Sequence, residues 1–171
     1  MTYNYRDIPQ IVREILAAKA EDGGVKNIYF VGCGGSLGAL YPAKVFVERE
    51  SLGLKTGWIN SNEFVHSTPR DFGKNSVLCV ACHAGNTPET VAAAKLGRES
   101  GAAVVLLTYQ EESEIAAFAD YLVLYSFDSS SSAHTGDMDY AGEKTQCALQ
   151  LAVELVNDTE GYEHYDAFYQ G

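Results

Sequence analysis

Two short stretches hold the side chains whose types and spacing could do chemistry. "VGCGGS", residues 31–36, sets a thiol and a hydroxyl, Cys33 and Ser36, among three glycines, Gly32, Gly34 and Gly35. "CHAGNT", residues 82–87, lines up Cys82, His83, Ala84, Gly85, Asn86 and Thr87. Each stretch follows an apolar run and leads into a helix-like pattern, so each would present bare backbone amides at a helix N-terminus. Such an end favours an anion by ~0.3–1 kcal/mol from the helix dipole alone. The chemistry on offer is therefore the holding of a phosphate.

Three kinds of glycine turn resemble the first stretch. A P-loop ends in Gly-Lys-Ser/Thr, and Gly34-Gly35-Ser36 lacks the lysine. A dinucleotide turn needs a third small residue where Leu37 stands, and an acid at the end of the next strand, which the residues around Trp58 and Asn60 do not supply. What remains is a strand, a turn, and Ser36 as N-cap or as a hydroxyl donor to an anion; a capped turn with no ligand stays open. The second stretch supplies another hydroxyl, Thr87, at the same end of a strand, and two such loops together suit a sugar phosphate. Glu89, in the first turn of the following helix, works against an anion that approaches too closely.

The elements that must position these loops are legible from periodicity. "IPQIVREILAA" has helical spacing, and "KNIYFVG", "LKTGWINS", "SVLCVAC", "AAVVLLTY" and "YLVLYSF" read as strands. Helices are expected from Ser36 to about residues 51–53, over the short "NEFVHST", from the Thr87 N-cap with Pro88 at N1 to the Gly101 C-cap, over "SEIAAFA", and over "KTQCALQLAVELVN". Apolar strands alternating with helices call for a parallel sheet covered on both faces. The expected fold is α/β, a three-layer αβα sandwich with a five-stranded parallel sheet in the flavodoxin-like order 2-1-3-4-5. In that order ligands bind at the switch point between the first and third strands, where both loops emerge. "FDSSSSAHTGDMDYAGE", from Phe127, is expected to be a mobile loop.

Composition narrows the partners. At 171 residues and 46% hydrophobic, one domain is expected. Residues 1–25 form a helix that packs on the domain or a partner, residues 26–157 the domain proper, and residues 158–171 a tail. Twelve Lys and Arg against 23 Asp and Glu leave a net charge of −11, with no basic cluster, which argues against nucleic acid and anionic membranes. No apolar run is long enough to cross a bilayer, and the first twenty residues lack a signal-peptide block, so a cytoplasmic protein is expected. Four scattered cysteines suit a reducing compartment, and four dispersed histidines, His66, His83, His134 and His164, make no metal spacing. Tyr162, Tyr165, Phe168 and Tyr169 are expected to pack on the domain or on a partner.

The order "VGCGGS", "NEF", "CVACHAGNTPETVAAAKLGRESGAAVVLLTY" and "EKTQCALQL" resembles the sugar isomerase (SIS) domain family across residues 26–156. Within it the chain is similar to the first SIS domain of fructosamine-6-phosphate deglycases of the fructoselysine type, the branch that "NEFVHSTP" favours, and to the isomerase half of glucosamine-6-phosphate synthase. The resemblance implies that Cys33, Gly34, Gly35 and Ser36 line the sugar site. It implies that Cys82, His83, Ala84, Gly85, Asn86 and Thr87 hold the phosphate, and that residues 140–144, with Lys144, flank the sugar. No metal or organic cofactor is implied.

Relatives carry serines where this chain has Cys82 and Ala84, which removes two hydroxyls; a protonated His83 would replace one donor. The resemblance also implies a glutamate that moves a proton between C1 and C2 and a ring-opening histidine, both from a second SIS domain or a partner subunit. The expected state is therefore a homo-oligomer or a pairing with a second SIS domain. Within the chain the base candidates are Glu63, near the end of the second strand, and Glu48 or Glu50. The alternatives kept open are a phosphosugar-sensing module without catalysis, part of a glucosamine-6-phosphate synthase or aldose-ketose isomerase, and nucleotide binding.

Overall fold

The computed structural model describes residues 1–126 and 139–170, and for residues 139–142 the backbone alone. The strands are β1 (Thr2–Tyr3), β2 (Asn27–Gly32), β3 (Lys55–Asn60), β4 (Ser76–Ala81), β5 (Ala103–Thr108) and β6 (Tyr121–Leu124). The helices are α1 (Ile8–Lys19), α2 (Gly34–Glu50), α3 (Ser61–His66), α4 (Pro88–Glu99), α5 (Asp139–Glu160) and α6 (Tyr165–Gln170). All strand pairs are parallel, in one sheet of order β1-β6-β5-β4-β2-β3.

The sheet thus has six strands in place of the expected five. The addition is β1, where Thr2 and Tyr3 pair with Leu122 and Val123 of β6. Two residues are too few for any periodicity, and this strand exists because the open edge of β6 offers backbone partners. Without β1 the remaining order is β3-β2-β4-β5-β6, with the reversal of direction between β2 and β4. The loop expected from Phe127 falls, over residues 127–138, outside the described residues.

Alternate residues of each central strand feed two cores. Ile28 and Phe30 of β2, with Val77, Cys79 and Ala81 of β4, meet Ile8, Ile11, Val12 and Ile15 of α1, Leu40, Ala43 and Val47 of α2, and Cys147, Leu151 and Leu155 of α5. Tyr29 and Val31, with Leu78 and Val80, meet Phe64 of α3 and Val91, Ala93 and Ala94 of α4. The 12-residue helix α1 shows why the pattern is readable: its buried residues are the ones spaced for a single face. The C-terminal aromatics pack on the domain itself. Tyr162 meets Phe46 edge-on with centroids 5.0 Å apart, and the hydroxyls of Tyr165 (2.8 Å) and Tyr169 donate to the buried Glu154 carboxylate. A buried carboxylate is costly unless hydrogen-bonded, so this pair of phenols ties α6 down.

Phe64 is fully buried and meets Phe72 edge-on at 4.9 Å, which anchors α3 behind the sheet's carboxyl end. Phe64→Ala is expected to lower unfolding stability by about 3–5 kcal/mol, read from urea denaturation.

Candidate active site at the switch point

The pairing of β2 with β4 in register, Val31 against Val80, sets their carboxyl ends level with each other. The loops beyond them leave to opposite faces, into α2 and α4, whose N-termini converge on one crevice. This is the arrangement in which open α/β sheets bind ligands.

On the first loop the helix starts earlier than expected. Cys33, extended at φ −129° and ψ 145°, occupies the N-cap position, and its side chain makes no capping bond. Ser36 is therefore the third residue of α2 and not its cap. A helix leaves its first amides without partners inside itself, and with Cys33 not capping, no described hydrogen bond engages the N–H groups of Gly34, Gly35 and Ser36. Gly34, at φ +55°, takes the left-handed conformation the turn needs. The Cys33 thiol turns the other way: it receives the Thr90 hydroxyl at 3.6 Å and lies 4.0 Å from Asn60 Nδ2. Thr90 is in turn bonded to buried Ser61 at 2.8 Å. This chain joins the ends of β2 and β3 to the first turn of α4.

On the second loop Thr87 is the N-cap residue of α4 with Pro88 at N1, as the sequence suggests, and its hydroxyl makes no capping bond. Ser100 is the C-cap, with Gly101 just beyond at φ +81°. Among the described hydrogen bonds none engages the N–H of Ala84, Gly85, Asn86 or Thr87. The loop is held by its carbonyls: His83 O accepts from Thr108 Oγ1 at 3.0 Å, and Gly85 O from Ile115 N at 3.1 Å. Its shape thus comes from β5 and the turn that follows.

His83 Nδ1 lies 2.7 Å from the hydroxyl of buried Tyr125, and its ring packs on Tyr109 with centroids 4.2 Å apart. Burial, followed by the nearby Lys144 ammonium, pushes the imidazole below its ordinary pKa. Both effects work against the protonated His83 that would replace a missing donor, and the neutral ring offers a phosphate at most one N–H. The cation here is Lys144, 1% exposed on α5, whose Nζ donates to Ser36 Oγ at 3.0 Å. The structure therefore brings Ser36, His83 and Lys144 to one crevice.

Of the candidate bases, Glu48 and Glu50 do not join them. Glu63 is exposed in the first turn of α3. Glu48 pairs with Lys44 at 2.7 Å in the closing turns of α2, and Glu50 ends that helix at the sheet's amino end, so neither can act as base here. Sequence reasoning missed Asn60, Thr90 and Tyr125. Two of them sit at or just past the carboxyl end of a strand, the one signal that could have found them; Thr90 reads as an ordinary helix residue.

No family model matches the chain. The curated fructosamine deglycase FrlB of Bacillus subtilis (strain 168) is 37% identical over 103 residues, 60% of this chain and 31% of FrlB. A solved structure designated a phosphosugar isomerase, from Salmonella typhimurium LT2, is 40% identical with a TM-score of 0.85, over 97% of this chain and 47% of that one. Another so designated, from Bacillus subtilis, is 26% identical with a TM-score of 0.80, over 96% and 46%. The Vibrio vulnificus NanR protein and the sugar isomerase domain of the RpiR transcription factor from Sphaerobacter thermophilus share the fold at 21% and 15% identity, with TM-scores of 0.60 and 0.65. In sequence and fold the chain resembles the phosphosugar isomerases and the sugar isomerase (SIS) family. The chain aligns with less than half the length of FrlB and of each of the two phosphosugar isomerase structures.

Gly85, at φ +75°, has no room for a side chain: a Cβ there would lie 2.3 Å from both Cβ and Oγ of Ser113. Gly85→Ala is expected to cost about 1–3 kcal/mol of stability, read from thermal or urea melts, and to displace the loop from Ser113.

Proposed function

We propose that this chain is the phosphosugar-binding SIS domain of a cytoplasmic sugar-phosphate deglycase or isomerase acting on a ketose or fructosamine 6-phosphate. The observation that carries the reading is the convergence of two helix N-termini, both without a side-chain cap, on the crevice between β2 and β4. The likeness to FrlB, a fructosamine deglycase, supports the choice of substrate class. The amides and hydroxyl of residues 83–87 hold the phosphate, while Cys33, Gly34, Gly35, Ser36 and Lys144 line the sugar.

The reaction transfers a proton between C1 and C2 through an enediol or enolamine, which needs a carboxylate poised over both carbons. Glu63 is exposed in the first turn of α3, and in this reading the base comes from another SIS domain, on the same polypeptide or on a partner subunit. Residues 26–157 are then one half of a paired unit, and residues 158–171 lead toward the other. The second reading is a sensor that binds phosphosugar without turnover.

Titration with fructose 6-phosphate and glucosamine 6-phosphate tests the site. Thr87→Val is expected to weaken binding at least about tenfold, as loss of a hydroxyl bond to a charged group does. Affinity indifferent to the substitution would remove the phosphate from this loop. Turnover of a fructosamine 6-phosphate by the paired protein distinguishes the enzyme from the sensor.

A further inference from the structure

Among the described residues Lys144 is the one cation with its side chain fully buried, and it lies against the sugar side of the crevice. Its Nζ donates to Ser36 Oγ at 3.0 Å. An ammonium has only donors to offer, so this bond occupies a lone pair of the serine and leaves the serine's own proton for another acceptor. A neutral amine would reverse the bond: its lone pair would accept the Ser36 proton, and the crevice would lose both a charge and a donor.

Among the described residues, groups from several elements face Lys144. Ser36 faces it from α2, Cys82 and His83 from the loop after β4, and the Tyr125 ring from beyond β6, with Nζ 5.4 Å from the ring centroid. Glu143, its neighbour on α5, has Oε1 on the Ser126 N–H at 3.0 Å.

We propose that Lys144 is a positioning residue for the phosphosugar: its ammonium holds the Ser36 hydroxyl as a donor to the ligand, so that tight binding requires the protonated lysine. This rests on the phosphosugar reading above. Burial brings the lysine down to about 8, against a smaller opposing pull from Cys82, so the switch falls in an accessible range of pH. A bound phosphosugar favours the ammonium, and affinity falls as pH rises through the free protein's value.

Stability of the unliganded protein moves the opposite way. From about 8 up to the ordinary lysine value near ~10.4, the unfolded chain binds the proton that the folded chain has lost, so stability rises with pH there.

The test is calorimetric titration with fructose 6-phosphate from pH 7 to pH 10, where the phosphate remains a dianion. Affinity is expected to fall by about tenfold per pH unit above about 8. Lys144→Arg, which stays charged, is expected to flatten the profile while retaining binding. Lys144→Met is expected to bind weakly at every pH, with a thermal melt confirming its fold. Cys82→Ser should keep the decline, because the Cys82 thiol is a titratable group beside the lysine whose removal leaves the ammonium in place.

Wild-type affinity that is flat from pH 7 to pH 10, a folded Lys144→Met that binds as tightly as wild type at pH 7, or loss of the decline in Cys82→Ser would each overturn the proposal. If neither lysine variant folds, the wild-type and Cys82→Ser profiles decide it. A flat profile leaves the phosphosugar reading standing, whereas a wild type that binds no sugar phosphate at pH 7 overturns both.

Discussion

Everything at the candidate site depends on the parallel pairing of β2 with β4. Both strands are buried along all six residues, so their side chains go entirely to the two cores and only their ends are left to meet a ligand. The chain leaves β2 outward, builds the edge strand β3, and returns to lay β4 on the other side of β2. The loops beyond β2 and β4 must then diverge to opposite faces. That divergence opens a crevice, and the helix following each strand points its amino end into it.

The electrostatics of the crevice run against those of the molecule. A net charge of −11 would repel a phosphosugar, yet at physiological salt exposed charges are screened within roughly 8 Å. Inside that range, among the described residues, the helix-end amides that no described hydrogen bond engages and the buried Lys144 ammonium contribute positive charge. Burial and the neighbouring lysine work against a charge on His83. The same effects disfavour an imidazolium in place of the hydroxyls absent at Cys82 and Ala84. The donors available are backbone amides, Thr87 and the Lys144–Ser36 pair.

The strands β2 to β6 and the main helices were readable because a residue buried on both faces of a sheet, or on one face of a helix, leaves a period in the sequence. The two-residue β1 leaves none. The start of α2 was misplaced by two positions because Ser36 looks like a cap, whereas Cys33 takes the extended N-cap conformation without capping. The bond from Thr90 to Cys33 and the contact of Tyr125 with His83 were invisible in the sequence. They join residues 57 and 42 positions apart, and nothing local in either partner announces the other.

By itself the amino-acid sequence determined the fold class, the two glycine-containing loops and the resemblance to SIS domains, because these rest on local periodicity and on turns that only certain residues can make. Tertiary structure alone decided the sixth strand, the lowered pKa of His83, the bond from Lys144 to Ser36, and the distance of Glu48 and Glu50 from the crevice. Each of those depends on burial and on neighbours far apart in the chain. Desolvation and hydrogen-bond direction have no value until the chain has closed around the group concerned.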